Sequence, residues 1–290
     1  MDQKIIDLYD EYTHGRLDRR NFLEGLTKLA GSTAAAMAVL PLLQSDWAQA
    51  AIVDPKDARL VTERVTFDSP KGKISGYLAR PKSRGKRPTV LVIHENRGLN
   101  PHLEDIARRL ATEGFLAYAI DLLSLVGGTP ADEQEALKLH PKMNADDAVA
   151  ALVAAVSFLK KHPESTGKVG AVGFCFGGLM VNRLAVASRE LDAGVAYYGR
   201  QVDAARVPAI NAPLLLQYAE NDERINAGIA DYEAALKANG KSYELFIYPG
   251  AQHAFNNDTG PARYNKDAAD LAWSRTLAFF RKHLGETVRS

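Results

Sequence analysis

The segment Lys168-Val-Gly-Ala-Val-Gly-Phe-Cys-Phe-Gly-Gly178 contains Cys175, the only cysteine of this 290-residue chain. Its apolar run predicts a buried strand, which meets a glycine-flanked turn and then a helix. Gly173 and Gly177 lie two residues before and two after the cysteine, the spacing of a nucleophile elbow, in which larger side chains collide with the neighbouring strand and helix. The free N–H groups of the following helix favour a thiolate. The pattern predicts a reactive cysteine; the alternative is a buried cysteine that only packs.

Two further strands are each followed by a polar residue that suits a catalytic cysteine. Asp222 ends the stretch 212–222, and His253 follows the strand predicted in 242–250. The chain order nucleophile, Asp, His is that of α/β-hydrolases. In such a triad Asp222 accepts a hydrogen bond from the His253 ring, whose other nitrogen faces Cys175. Taken singly, Asp222 is equally a turn former or helix cap, and His253 a surface histidine.

These segments, together with His94-Glu-Asn-Arg-Gly98, resemble the dienelactone hydrolase family of α/β-hydrolases over roughly residues 60 to 285. The resemblance rests on Gly173-Phe-Cys-Phe-Gly-Gly178, Ala219-Glu-Asn-Asp222 and Gly250-Ala-Gln-His-Ala-Phe255. It implies that the backbone N–H groups of Asn96 and Phe176 form the oxyanion hole. It also implies that Glu95 contacts the resting thiol and takes part in its activation; the alternative is a solvent-facing carboxylate.

The sequence departs from the family pattern at the substrate anchors. The resemblance leads us to expect one arginine after Asp121-Leu122 and another just beyond His253, yet neither stands there. The remaining candidates for substrate contacts are Arg97, Tyr198 and Arg200, with Arg263 as a further substitute. For each arginine the alternative is a surface or ion-paired side chain. Because a bound carboxylate needs a charged partner, the missing anchors predict a preference for small neutral esters or lactones.

Composition is that of a globular enzyme, with 46% hydrophobic and 24% charged residues. The net charge of +1 gives no reason to expect a nucleic-acid partner. We find no zinc-type Cys/His spacing and no phosphate-binding loop, so no metal and no cofactor is predicted. The expected partner is a small-molecule ester or lactone, and the expected assembly a monomer or small homo-oligomer without a membrane attachment in the mature form.

The first fifty residues differ from the rest and are predicted to be a separate N-terminal unit, 1–50, before a catalytic domain, 51–290. Asp18-Arg-Arg-Asn-Phe-Leu-Glu24 resembles a twin-arginine export motif, and Ala48-Gln-Ala50 has the form of a cleavage site. These features predict export to the periplasm. The alternative is an attached pair of amphipathic helices in a cytoplasmic protein, because Ile5, Ile6, Leu8 and Tyr9 have near-helical spacing.

From residue 52 onward strands alternate with helices, which predicts an α/β-hydrolase fold: a mostly parallel eight-stranded sheet with helices on both faces. The predicted strands are 64–69, 73–80, 89–94, 116–121, 168–174, 193–198, 214–219 and 243–248, the first two being antiparallel. The predicted helices are 102–113, 130–161, 177–190, 226–239 and 265–284.

The sequence thus predicts a carboxylic ester hydrolase of the carboxymethylenebutenolidase type that works through Cys175, Asp222 and His253 and a thioester. Two alternatives stay open. One is a ligand-binding homologue without catalysis, and the other is a redox-sensitive thiol protein, although the chain has no second cysteine to resolve an oxidised Cys175.

Overall fold

A computed structural model describes residues 1–44 and 51–287. Its eight strands form one sheet, as the alternating pattern predicts. The strands are β1 (Leu60–Ser69), β2 (Gly72–Pro81), β3 (Arg87–Ile93), β4 (Leu116–Ile120), β5 (Ser165–Phe174), β6 (Ala193–Tyr197), β7 (Leu214–Asn221) and β8 (Tyr243–Gln252).

The sheet has the order β1-β2-β4-β3-β5-β6-β7-β8. β2 pairs antiparallel with both β1 and β4, and all other neighbours are parallel. In the centre, Ile93 of β3 lies in register with Gly173 of β5. The loops after these two strands therefore leave the sheet side by side, at the carboxyl edge where open α/β sheets place their sites.

The helices cover both faces of the sheet, as predicted. They are α1 (Gln3–Thr13), α2 (Arg19–Ala30), α3 (Thr33–Leu43), α4 (Pro101–Thr112), α5 (Glu133–Leu139), α6 (Ala145–Lys160), α7 (Phe176–Ala187), α8 (Glu223–Asn226), α9 (Ile229–Ala238) and α10 (Lys266–Leu284). Side chains of α4 and α10 pack into one apolar core, and those of α6, α7 and α9 into the other. The helices after β3 and β5 lie on opposite faces, which opens a crevice between the two strand ends.

The long helix predicted over 130–161 is wrong as a single element. The structure divides it into α5, a short 3-10 turn over His140–Lys142, and α6. Pro141 has no N–H to donate to a continuing helix, and Met143 adopts an extended conformation. Asn144 then caps α6 by accepting from the backbone N–H groups of Asp146 and Asp147. The proline and the cap together end one helix and start the next, although the apolar periodicity continues across the break.

The N-terminal helices form a small apolar cluster of their own, with Tyr9, Phe22 and Leu26 almost fully buried. Arg19 and Arg20, the paired arginines of the predicted export motif, begin α2. The predicted cleavage site at Ala48-Gln-Ala50 lies outside the described residues. Within the described ranges, no single helix is both long and apolar enough to cross a membrane. Taken together, α2 and α3 have the required length and apolarity, but they are bent by 112° relative to each other.

Candidate active site

Cys175 lies at the turn between β5 and α7 in a strained backbone conformation, φ 55° and ψ −112°. A Cβ atom added at Gly173 comes within 2.1 Å of the Gly177 carbonyl oxygen, and one at Gly177 within 2.3 Å of the Ile93 carbonyl oxygen. Both positions therefore exclude any side chain, which is the steric requirement of a nucleophile elbow. The structure agrees with the elbow predicted from the glycine spacing.

Backbone strain is concentrated around this cysteine. The described non-glycine residues with positive φ are Cys175, Tyr198 (38°) and Ala254 (66°). Tyr198 follows β6, and Ala254 follows His253. Such conformations persist only where surrounding packing enforces them, and they cluster at functional sites.

Asp222 and His253 meet as predicted at the carboxyl ends of β7 and β8. The Asp222 carboxylate lies 2.5 Å from Nδ1 of His253, and it also caps α8 by accepting from the Ile225 N–H at 3.3 Å. The ring is thereby held with Nδ1–H toward the carboxylate, which leaves Nε2 as the ring nitrogen outside this contact. Among the described residues, the buried Nε2 of His253 has no hydrogen-bond partner.

The electrostatics favour a thiolate–imidazolium pair. Burial raises the pKa of the Cys175 thiol, but the charges of His253 and His14 outweigh burial and lower it from 9.0 to about 6. Burial lowers the pKa of His253, whereas the negative charges of Asp10 and Cys175 raise it well above its usual value. A lowered thiol pKa beside a raised imidazole pKa is the pattern of an activated cysteine.

The hydrogen-bond partner of the sulfur is His14, at the end of α1, with Nε2 3.3 Å from Sγ. Glu95, which the resemblance assigns to the resting thiol, is buried and accepts a hydrogen bond from Asn257 Nδ2 at 3.0 Å. The structure therefore places Glu95 in a different contact, and the solvent-facing alternative is wrong as well. Glu95 is thus hydrogen-bonded by the Asn257 amide, and Cys175 by the His14 imidazole.

Asn96 and Phe176 lie on the two loops that the central strands bring together. Phe176 is the first residue of α7, so its N–H belongs to the helix end that lacks intrahelical acceptors. Asn96 follows β3, whose last carbonyl touches Gly177. The Asn96 side chain has a separate task, because its Nδ2 donates to the Thr13 carbonyl at 2.6 Å.

Two of the arginines considered for substrate binding instead contact polar side chains of α1. Arg97 is buried; it donates to the Tyr9 hydroxyl at 2.9 Å and pairs with Glu133. Arg263 lies 3.2 Å from the Asp10 carboxylate. Arg97 and Arg263 therefore act as anchors of the N-terminal helix, and the prediction that they contact substrate does not agree with these pairings.

A cavity of about 360 Å³ opens beside Cys175, and Tyr198 and Arg200, two of the predicted substrate contacts, both line it. The Tyr198 hydroxyl is buried without a hydrogen-bond partner among the described residues, and burial raises its pKa well above the usual value. Arg16 and Arg224 also line the cavity, whereas no acidic side chain of the described residues does. The lining therefore carries arginine side chains and, in Tyr198, a buried hydroxyl without a partner among the described residues.

Three side chains at the site have ligand atoms that suit a metal. His14, Cys175 and His253 bring their ligand atoms within 4.8 Å of one another. Sulfur and imidazole nitrogen are ligands that zinc accepts. A metal bound there occupies both the sulfur and Nε2 of His253, so these residues serve either ligation or nucleophilic attack.

Sequence reasoning missed the contribution of the N-terminal segment. His14, Asp10 and Tyr9 all reach the site or its arginines. The helical spacing of apolar residues reveals that 1–10 forms an amphipathic helix, but nothing in that spacing says where the helix docks. Asp10 and His14 are four residues apart and therefore lie on one face of the helix. This spacing was the one indication in the sequence that the helix contacts polar groups elsewhere in the protein.

The comparisons with known proteins agree with the geometry. Residues 74–284 match the family model described as "Dienelactone hydrolase family". The chain belongs to the dienelactone hydrolase family. It is accordingly a hydrolase of the carboxylic ester class with the α/β-hydrolase fold. Residues 1–31 match a second family model, described as "YqhI-like".

Relatives of this dienelactone hydrolase family member extend over most of the chain. A protein of Methylorubrum extorquens named "Putative carboxymethylenebutenolidase" is 32% identical over 282 residues, covering 92% of this chain and 94% of its own length. A protein of the same name from Saccharolobus solfataricus is 31% identical and covers 76% of this chain and 98% of its own. A solved structure of a "Putative Dienelactone Hydrolase" from Klebsiella pneumoniae has a TM-score of 0.71 at 30% identity, covering 77% of this chain and 99% of that one.

Proposed function

We propose that this hydrolase cleaves carboxylic esters or lactones through a Cys175–His253–Asp222 triad and a thioester intermediate. The observation that carries the proposal is the strained elbow that presents Cys175 beside an imidazole whose Nδ1 lies 2.5 Å from Asp222. An inert structural cysteine needs neither the strain nor the paired imidazole. This argues for catalysis over the ligand-binding alternative.

The acylation step follows from these positions. The thiolate of Cys175 attacks the carbonyl carbon, a C–S bond forms, and the carbonyl electron pair moves onto oxygen. We assign the oxyanion to the backbone N–H groups of Asn96 and Phe176; donors of this kind contribute roughly 3 to 4 kcal/mol each. The C–O bond to the leaving group then breaks, and the His253 imidazolium gives its proton to the departing alkoxide.

Deacylation uses the same residues in reverse. Neutral His253 takes a proton from water, and the resulting hydroxide attacks the thioester carbonyl. The second tetrahedral intermediate collapses with loss of the Cys175 thiolate, which restores the thiolate–imidazolium pair and releases a carboxylic acid. Asp222 stays ionised and holds the imidazole throughout.

The substrate preference that we propose differs from the one the motif alone predicts. Arg16, Arg200 and Arg224 border the cavity from positions that do not correspond to the family's anchors. Arg224 is paired with the Asp10 carboxylate, so Arg16 and Arg200 supply the positive charge at the cavity. We therefore propose that an ester or lactone with a free carboxylate is preferred to its neutral counterpart.

A panel of p-nitrophenyl esters and lactones tests the proposed reaction. Wild type should hydrolyse at least one of them, and Cys175→Ala should not exceed the uncatalysed rate. Activity of Cys175→Ala at the wild-type level contradicts the mechanism.

The compartment is a separate question with two alternatives, export with cleavage near Ala50 or retention of the first fifty residues. The twin-arginine signal stays a prediction. The packing of α1 against the site, where His14 contacts the Cys175 sulfur, favours retention.

A further inference from the structure

The residue that contacts the thiol of Cys175 lies outside the part of the chain that matches the dienelactone hydrolase family. That match begins at residue 74, yet the sulfur's hydrogen-bond partner is Nε2 of His14. Within the described ranges, Nε2 of the triad histidine, His253, has no such partner, although it lies within 4.8 Å of the other two ligand atoms. In the resting geometry the sulfur is thus turned toward His14.

The His14 ring is oriented for this contact by its own helix. Its Nδ1 lies 2.7 Å from the backbone carbonyl oxygen of Asp10. A carbonyl oxygen only accepts, so Nδ1 carries the hydrogen, and in the neutral ring Nε2 is left as the acceptor for the S–H of Cys175. In the imidazolium form Nε2–H donates to the thiolate. Only the imidazolium form lowers the pKa of Cys175, because its charge and its Nε2–H favour the thiolate. The Asp10 carboxylate, 3.5 Å from Nδ1, favours that positive charge, whereas the Arg224 guanidinium, 3.4 Å from Nε2, opposes it.

Four polar contacts fix the helix that carries His14. Asn96 donates to the Thr13 carbonyl at 2.6 Å, and Arg97 donates to the Tyr9 hydroxyl at 2.9 Å. On the opposite side the Asp10 carboxylate lies 3.2 Å from Arg263 and 3.5 Å from Arg224. Negative charge on Asp10 is favoured there: burial raises its pKa, but His253, His14 and the two arginines hold it well below the usual value.

Apolar packing adds to these contacts. Ile5, Ile6 and Tyr9 are at most 7% exposed, and the Arg263 guanidinium lies 5.3 Å above the Tyr9 ring. Ile5 and Tyr9 belong to the apolar cluster of the N-terminal helices, which Ala262 joins from the rest of the chain. Removal of α1 also takes one polar partner from each of the buried Arg97 and Arg263, which is costly. A helix held this way belongs to the folded protein.

We propose that the segment from Gln3 to Arg16 is a permanent wall of the active site and that His14 is a second imidazole partner of Cys175, one that holds the thiol in the resting enzyme. The inference deepens the proposed function and rests on it for its catalytic meaning. His14 adds no covalent step: it binds the sulfur by a hydrogen bond, and His253 remains the group that exchanges protons with substrate and water. The segment also bounds the cavity through residues 12 to 16, so it restricts which substrates reach Cys175.

Alkylation of the single cysteine by iodoacetamide tests this in the full-length protein, because its rate reports the thiolate of Cys175 alone. In wild type the rate should rise with pH around a midpoint near 6. His14→Phe keeps an aromatic ring but removes both nitrogens, and the midpoint should rise by about one pH unit, which lowers the rate at pH 6 about fivefold. An unchanged midpoint in a folded His14→Phe protein overturns the proposal.

His140→Phe is the matched control. His140 lines the same cavity, but its ring contacts Phe176 edge-on, and burial lowers its pKa to about 4, so it carries no charge at the pH of the measurement. Its replacement should leave the midpoint unchanged. An equal shift in both variants shows that disturbance of the cavity, and not loss of the His14 contact, moves the thiol, and overturns the proposal.

A second measurement needs no substitution at position 14. In wild type with ¹⁵N-labelled histidine, alkylation of Cys175 should move the ring resonances of both His14 and His253. Movement of His253 alone overturns the proposal. Neither measurement uses an ester, so failure here is distinguishable from failure of the proposed function, which is decided by the activity of Cys175→Ala.

Discussion

Nε2 of His14 lies 3.3 Å from Sγ of Cys175, although 161 positions of the chain separate the two residues. The nucleophile of the elbow is thus flanked by two imidazoles, His14 and His253, whose ring centroids are 5.2 Å apart. Each imidazole has its Nδ1 directed at an oxygen atom, the Asp10 carbonyl for one and the Asp222 carboxylate for the other. The sulfur is therefore contacted by a group on α1 and lies beside the imidazole that Asp222 orients.

The pH dependence of kcat/KM should be broad, with an acid limb near pH 6. Below that pH the Cys175 thiolate, whose pKa is lowered to about 6, takes up a proton and activity is lost. The alkaline limb should lie well above the usual histidine range, because the pKa of His253 is raised and its imidazolium must protonate the leaving group. A pH profile with a p-nitrophenyl ester measures both limbs; an acid limb near 9 contradicts the assigned thiolate.

Loss of the triad members should not be additive. His253→Ala and Asp222→Asn should each lower kcat by roughly a thousandfold or more, and combining either with Cys175→Ala should produce no further loss, since the three residues act as a unit. Steady-state kinetics of the single and double variants make the comparison. Independent effects that multiply indicate that Cys175 works with other partners.

The elbow glycines should be intolerant of a methyl group. Gly173→Ala places a Cβ 2.1 Å from a backbone oxygen that has no room to move, and we expect a loss of about 2 kcal/mol or more in the free energy of unfolding. Gly260→Ala is the control, because its Cβ meets its nearest neighbour at an ordinary 3.7 Å. Denaturant unfolding of both variants decides; equal stabilities argue against the crowded turn.

A free carboxylate on the substrate should be an advantage that depends on Arg200. Replacing Arg200 with Met removes a charge-assisted contact of about 1.5 to 3 kcal/mol, so kcat/KM for a carboxylate-bearing lactone should fall roughly ten- to a hundredfold while that for its methyl ester changes little. The exposed Arg189, outside the cavity lining, is the control. A wild-type preference for the methyl ester would contradict this proposal and support the neutral substrates that the missing anchors predict.

The native protein should keep its first fifty residues, because α1 carries His14 to the sulfur. Intact-mass analysis of protein from its own host should give a chain that includes α1. The same chain with Arg19 and Arg20 replaced by lysine should have the same N-terminus and location. A mature chain that begins near Ala51, together with retention of a longer precursor in the lysine variant, supports the export prediction instead.

The sequence was sufficient for the parts of the fold that local chemistry determines. The glycines at 173 and 177 define the elbow by steric necessity, and the strands before Asp222 and His253 place both residues at one edge of a parallel sheet. The break near Pro141 is encoded locally too, by the proline and by the capping residue Asn144, although the apolar periodicity on either side favours a continuous helix.

The remaining parts of the site depend on docking, which periodicity does not encode. An amphipathic helix over the first residues was foreseeable, whereas its contact with Cys175 depends on complementary partners far along the chain, such as Arg263 for Asp10 and Asn96 for Thr13. Glu95 was assigned by resemblance, and its bond to Asn257 was not predictable from the motif.

Trapping the acyl-enzyme tests the central claim most directly. Wild-type protein mixed with p-nitrophenyl acetate and quenched in acid should carry one acetyl group, mapped by peptide mass spectrometry to the peptide that contains Cys175, and hydroxylamine at neutral pH should remove it as expected for a thioester. Cys175→Ala should carry none. Turnover of the ester with no acyl group on Cys175, or acylation at another residue that persists in Cys175→Ala, would contradict the account.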